Sequence, residues 1–173
     1  AGNIAPMLPA NATAIAAIVS PFFVGMVADR FLPAQVTMGI LHLLGAVVMY
    51  SASKLTGAGQ FIPMLILYAL CYMPTLALVN AISFHQMQDP GKQFPGIRVL
   101  GTIGWIVAGN VVSWLKWEDR NLAMQLAAGA SVVLGVYSFF LPHTPPRAKG
   151  QKVTVSHVLG LDSLKLFKDK SFF

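Results

Sequence analysis

Residues 61–84 carry no charged side chain over their whole length. A helix that crosses a bilayer needs about 17–25 predominantly apolar residues, and this run reaches that length. In hydrocarbon every backbone N–H and C=O must find its partner inside the segment, so such a run is a helix or it does not cross. Four more runs share its character, at about 12–28, 36–53, 97–115 and 122–141. The whole chain is 55% hydrophobic and 10% charged, with a mean hydropathy of +0.65. A soluble domain carries about a quarter of its residues charged. The lipid bilayer is therefore the expected solvent, and the expected fold class is an all-α integral membrane protein of about five transmembrane helices.

The connections are short, which makes successive helices neighbours. The span at 12–28 holds Pro21 as a kink and stops at Asp29-Arg30. A tight loop leads to 36–53, which contains His42, and residues 54–60 form a turn before 61–84, where Pro63 and Pro74 lie. Residues 85–96 read as a polar loop, with Asp89-Pro90-Gly91 as a turn. After 97–115, Trp114 and Trp117 flank a charged turn in the manner of an interfacial aromatic belt. The last span, 122–141, is rich in Ala, Gly and Ser. From 142 the chain changes character: 142–150 is a Pro-rich extended linker, and 158–170 is a weakly amphipathic stretch expected as an interfacial helix. Residues 1–11 are left unassigned. The absence of an initiator Met and a new apolar stretch at Phe172-Phe173 suggest a piece of a longer protein.

The formal charge of +6 raises the question of nucleic acid. No basic-aromatic surface is legible, and the positive-inside rule accounts for the charges. Alternate sides collect Arg30, Lys92, Arg98, Arg147, Lys149, Lys152, Lys165, Lys168 and Lys170 against Lys54, Lys116 and Arg120. The richer side is expected to face the cytoplasm, with the tail after 142 on it. The lone Cys71 reads as a small hydrophobe. The four histidines have no metal-ligand spacing, and no cofactor or metal is expected; His42 reads as a packed, hydrogen-bonded core residue. All six acidic residues lie at span ends, in loops or in the tail. That leaves no intramembrane acid for catalysis, so an enzyme is not expected.

Residues 94–105 bring a charge, a hydroxyl and a large aromatic onto one helical face: Arg98, Thr102 and Trp105 recur at i, i+4 and i+7. Ionisable and polar groups in a membrane helix mark substrate pathways. From Arg98 to Leu115 is about 25 Å at 1.5 Å per residue, against a hydrocarbon core of about 30 Å. Arg98 thus lies near the edge, where snorkelling is the competing reading, and Trp105 lies roughly 10 Å deeper. Tyr72, Thr75 and Asn80 of the 61–84 run are candidate cavity-lining residues. For Asn80 and Ser83 the preferred reading is hydrogen-bonding glue between helices. Gly101, Gly104 and Ala108 read as a packing stripe.

Gly25-Met26-Val27-Ala28-Asp29-Arg30 resembles the signature loop of the major facilitator superfamily, between its second and third helices, although Leu32 to Gln35 replace the usual glycine and basic residues. Gly25, Asp29 and Arg30 are then candidate gating residues. The stretches Tyr72-Met73-Pro74-Thr75-Leu76, Asn80-Ala81-Ile82-Ser83, Phe94-Pro95-Gly96-Ile97-Arg98, Gly101-Thr102-Ile103-Gly104, Leu141-Pro142-His143 and Leu159-Gly160-Leu161-Asp162 resemble the nucleoside:proton symporter family within that superfamily. The resemblance implies helices two to six of twelve, followed by the linker between halves. It implies a multi-pass protein of the bacterial inner membrane that imports nucleosides with protons by alternating access. Arg98, Thr102 and Trp105 would line the nucleoside site, and the proton-carrying carboxylate would lie in the other half of the polypeptide. A transporter of another polar solute such as a sugar, or an accessory bundle that transports nothing, are the alternatives.

Overall fold

The structure is a computed structural model and describes residues 31–117 and 120–146. Those residues form four α-helices: α1 Ala34–Ser53, α2 Ala58–Gln86, α3 Pro90–Trp114 and α4 Arg120–Ser138. All four are long and apolar enough to cross a membrane. The expected span at 12–28, the residues Gly25, Asp29 and Arg30, and the amphipathic stretch at 158–170 lie outside the described residues.

Helix α1 is the centre of the bundle, with α2 on one side and α4 on the other. Small residues make this possible. On α4, Ala128, Ser131, Gly135 and Ser138 recur at three- and four-residue steps, and all four are buried. They meet Gly39 and its neighbours on α1 at backbone distance. A Cβ added at Gly39 would lie 3.1 Å from the Gly135 carbonyl oxygen, and one added at Gly135 would lie 2.9 Å from Leu43 Cγ and 3.2 Å from the Gly39 carbonyl oxygen. In lipid there is no hydrophobic drive between helices, so this close van der Waals contact holds them. On the other side, Gly45 receives the ring of Tyr68 from α2, and the Tyr68 hydroxyl reaches Ser131 of α4. A small apolar core of Ala34, Met38, Leu78 and Ile82 closes the end where α1 begins.

Helix α2 contains Pro74, which is fully buried and has no N–H to give the helix ladder. The next residue, Thr75, is also buried and donates its hydroxyl to the Tyr72 carbonyl at 2.6 Å.

Helix α3 begins well before the expected boundary at 97. Residues 90–96, expected within a polar loop, are its first turns. Asp89 is the N-cap and accepts from the Lys92 amide at 3.3 Å, while Pro90 occupies the first helical position. Proline is preorganised there and its missing N–H costs nothing. Gln93 Oε1 reaches back to accept from the Gln88 and Asp89 amides. The exposed first turns tolerate Pro95. At its other end α3 closes in a Schellman arrangement, with the Trp117 amide on the Val112 carbonyl and the Lys116 amide on the Ser113 carbonyl. Lys116 takes the left-handed position (φ 56°) that glycine usually fills.

Helix α4 stops at Ser138, three residues short of the expected 141, and residues 139–141 tighten into turns on Val136, Tyr137 and Ser138. The chain then runs extended along the start of α1. The Ala34 amide donates to the Thr144 carbonyl at 3.1 Å, the Thr144 amide donates to Gln35 Oε1 at 3.0 Å, and Gln35 Nε2 donates to His143 Nδ1 at 3.0 Å. Gln35 and Thr144 are both buried. The expected linker is thus pinned, over its first residues, to the N-terminus of α1.

Candidate functional site

Helix α3 has no buried residue. Near its start the Phe94 ring lies 4.5 Å from that of Phe84 on α2. A groove of about 600 Å³ runs alongside, lined from α2 by Ile82 and Gln86, from α3 by Gln93, Ile97 and Leu100, and by Pro142. At 100° per residue, Gln93, Ile97 and Leu100 fall on the side of α3 opposite Arg98, Thr102 and Trp105. The three candidate substrate residues therefore share the side of α3 opposite that groove, and all three are exposed.

On that face the Thr102 hydroxyl donates to the Arg98 carbonyl at 3.2 Å. This spends its proton inside the helix and leaves its oxygen as an acceptor. Arg98 is exposed, and among the described residues the single ion pair joins Lys92 to Asp89, leaving Arg98 without a carboxylate. Trp105 is 80% exposed, much as Trp114 is at the end of the same helix. Together the three offer guanidinium donors, a hydroxyl acceptor and a flat stacking surface along about 10 Å of helix. A flat, hydroxylated solute is the chemistry that such a face accommodates.

The early start of α3 refines the depth of the site. With 25 residues the helix is about 37 Å long, so it exceeds a core of about 30 Å by more than a turn. Lys92 and the capping residues at the start of α3 are suited to that overhang.

The other candidates divide. Tyr72 stacks on Tyr68, with centroids 5.6 Å apart and planes 13° from parallel, and is partly exposed. Asn80 is half-buried on α2. Thr75 is buried with its hydroxyl engaged on its own helix, as described above. Two further polar residues of α3, Asn110 and Ser113, share a groove with Trp105. Ser113 lies roughly 80° round the helix from Trp105 and Asn110 roughly 140°, so helical spacing from Trp105 does not announce Asn110.

The nucleoside H+ symporter family matches the chain over residues 4–173. YegT of Escherichia coli (strain K12) is 44% identical over 167 residues, which is 92% of this chain and 39% of that protein. The nucleoside permease NupG and the xanthosine permease of the same organism are 35% and 37% identical, each over 90% of this chain and 38% of its own length. The chain thus spans about two fifths of the length of these relatives. A crystal structure of a mutant of the nucleoside transporter NupG superposes with a TM-score of 0.84 at 34% identity, covering 94% of this chain and 42% of that one.

Proposed function

The chain belongs to the nucleoside H+ symporter family, and from that premise we propose that its helices form the substrate-facing part of one half of a nucleoside–proton symporter. The observation that carries the reading is the face of α3 bearing Arg98, Thr102 and Trp105. It carries a cation, a hydroxyl and an aromatic on one side of a helix long and apolar enough to cross a membrane, and all three are exposed. A charged and polar face set against lipid is costly. Set against a second half-transporter across a central cavity, it becomes half of a site.

In this reading the base stacks on Trp105, worth about 1–3 kcal/mol by analogy with base stacking on aromatics elsewhere. Arg98 donates to oxygens of the solute near the inner edge, and Thr102 accepts from it. The proton moves on a carboxylate supplied by the other half of the polypeptide, and the two halves rock about the midplane. Gly25, Asp29 and Arg30 lock one packing of the moving interface. Tyr72 and Asn80 flank the cavity, and Thr75 supports them from within α2. The protein is multi-pass in a bacterial inner membrane, with the segment after 142 in the cytoplasm. The names of the nucleoside and xanthosine permeases support nucleosides over sugars as the solute class.

Uptake of labelled uridine by cells that lack their own nucleoside import and express the full-length coding sequence tests this. Uptake that saturates and collapses with a protonophore is expected. Trp105→Ala is expected to lower uptake efficiency about 5- to 150-fold and Trp105→Phe to retain most of it, from the stacking energy above. No uptake above background, or uptake indifferent to the protonophore, would refute the proposal.

A further inference from the structure

The residues that follow α4 are fastened to the start of α1 by a contact whose donors and acceptors are fixed in order. A backbone N–H can only donate, so the atom of Gln35 that meets the Thr144 amide at 3.0 Å is its carbonyl oxygen. The Gln35 nitrogen is thereby turned to His143, with Nε2 3.0 Å from Nδ1. An NH2 group has only hydrogens to offer there. Nδ1 is therefore the unprotonated nitrogen of a neutral imidazole, which carries its proton on Nε2. Gln35 and Thr144 are buried, whereas His143 is exposed. Protons from water thus reach the ring more readily than the amide that it meets.

We propose that His143 makes this contact a pH-sensitive latch, in which a neutral ring holds residues 143–144 on α1 and a protonated ring releases them. Protonation puts an N–H on Nδ1, and two donors then face each other across the same gap. Turning the Gln35 amide over does not rescue the contact, because it presents NH2 to the Thr144 N–H in a buried place. Histidine is the side chain whose ordinary titration falls between about pH 5 and 8. The other titratable groups toward this end of the described residues are His85 on α2, Asp89, Lys92 and Arg98 at the start of α3, and Tyr137 on α4. Lys92 pairs with Asp89 at 3.1 Å and His85 Nδ1 meets Gln86; among the described residues none of the five is joined to His143 by an ion pair or hydrogen bond. Asp29, Arg30 and Arg147 adjoin the latch in sequence and lie outside the described residues. The released segment leads from α4 into the linker. On the symporter reading, and only on it, the segment lies in the cytoplasm and the pH sensed is the one that proton import lowers.

The test is hydrogen exchange at Thr144 in the full-length protein in nanodiscs, measured at several pH values and divided at each by the rate of an unstructured peptide of the same sequence. In the wild type, protection is expected to fall about tenfold from about pH 8 to about pH 5, the loss of roughly one hydrogen bond. In His143→Ala it is expected to be lower at the alkaline end and flat across the range. In Gln35→Glu the carboxylate still accepts from the Thr144 amide and can also accept from the Nδ1–H of a protonated ring. Protection in that variant is expected to start below the wild type and to rise on acidification, a reversal that a mere loss of packing does not produce. Wild-type protection that stays constant over the range would overturn the proposal. So would an equal fall in His143→Ala, which assigns the titration to another group, or a fall in Gln35→Glu that matches the wild type. The exposed position of His143 keeps the first comparison decisive if Gln35→Glu does not accumulate. None of these measurements involves uptake, so failure of the latch and failure of the proposed transport function are told apart.

Discussion

Replacing Gln35 with alanine should release the segment after α4 from the start of α1. Gln35 is buried and makes two of the three hydrogen bonds that hold residues 143–144: it accepts from the Thr144 amide and donates to His143 Nδ1, each at 3.0 Å. The third, from the Ala34 amide to the Thr144 carbonyl, is backbone only and survives the change. Each lost bond is worth about 1 kcal/mol net, and the Thr144 amide is left buried without an acceptor, at about 1–3 kcal/mol. These costs overlap, since the orphaned amide is one half of a lost bond. A total of about 2–3 kcal/mol follows, which raises the local opening constant about 30- to 150-fold. Hydrogen exchange of the full-length protein in detergent or nanodiscs reads this directly. With proline at 142, 145 and 146, only His143 and Thr144 carry amide protons in that stretch, so a peptide spanning it reports few bonds. Gln35→Glu keeps the acceptor for Thr144 and loses the donor to His143, and should accelerate exchange by about tenfold or less. His143→Ala should resemble Gln35→Glu. Exchange in Gln35→Ala that matches the wild type would refute the account of this contact as a fastening.

Two other substitutions test the scaffold. Gly135→Ala places a Cβ against the Gly39 carbonyl and Leu43, and should cost about 1–3 kcal/mol as overpacking, read as a lower apparent melting temperature of the purified protein. Lys116→Gly relieves a lysine from the left-handed position that ends α3 and should stabilise by about 1 kcal/mol. An unchanged or lowered melting temperature would count against the strain assigned to Lys116.

The architecture was legible where physics is local. An uncharged run such as 61–84 has one stable form in lipid, and α2 duly covers it from Ala58 to Gln86. The start of α3 was also encoded, as an N-cap aspartate followed by proline at the first helical position, but the same letters, Asp89-Pro90-Gly91, also spell a turn. What decides between them is the helix that follows and the return of Gln93 to the two amides ahead of it. The buried series Ala128, Ser131, Gly135 and Ser138 could have been found by its spacing, which marks one face of a helix. The pairing of Gln35 with His143 and Thr144 could not, because nothing local in either stretch announces the other. The candidate site falls between these cases. The shared face of Arg98, Thr102 and Trp105 follows from helical period alone, whereas its place opposite a groove required the meeting of α2 and α3 at Ile82, Gln86, Ile97 and Leu100.

The crossing of Gly39 and Gly135 has a consequence for how the protein is made. The ribosome releases about 5–20 residues per second, so α1 waits on the order of ten seconds in the membrane before α4 emerges to meet it. During that interval α3 is inserted, touching α2 near its start. When α4 arrives it closes on α1 directly, glycine to glycine. The crossing of α1 and α4 is thus a contact that cannot form until nearly all of the described residues have been made.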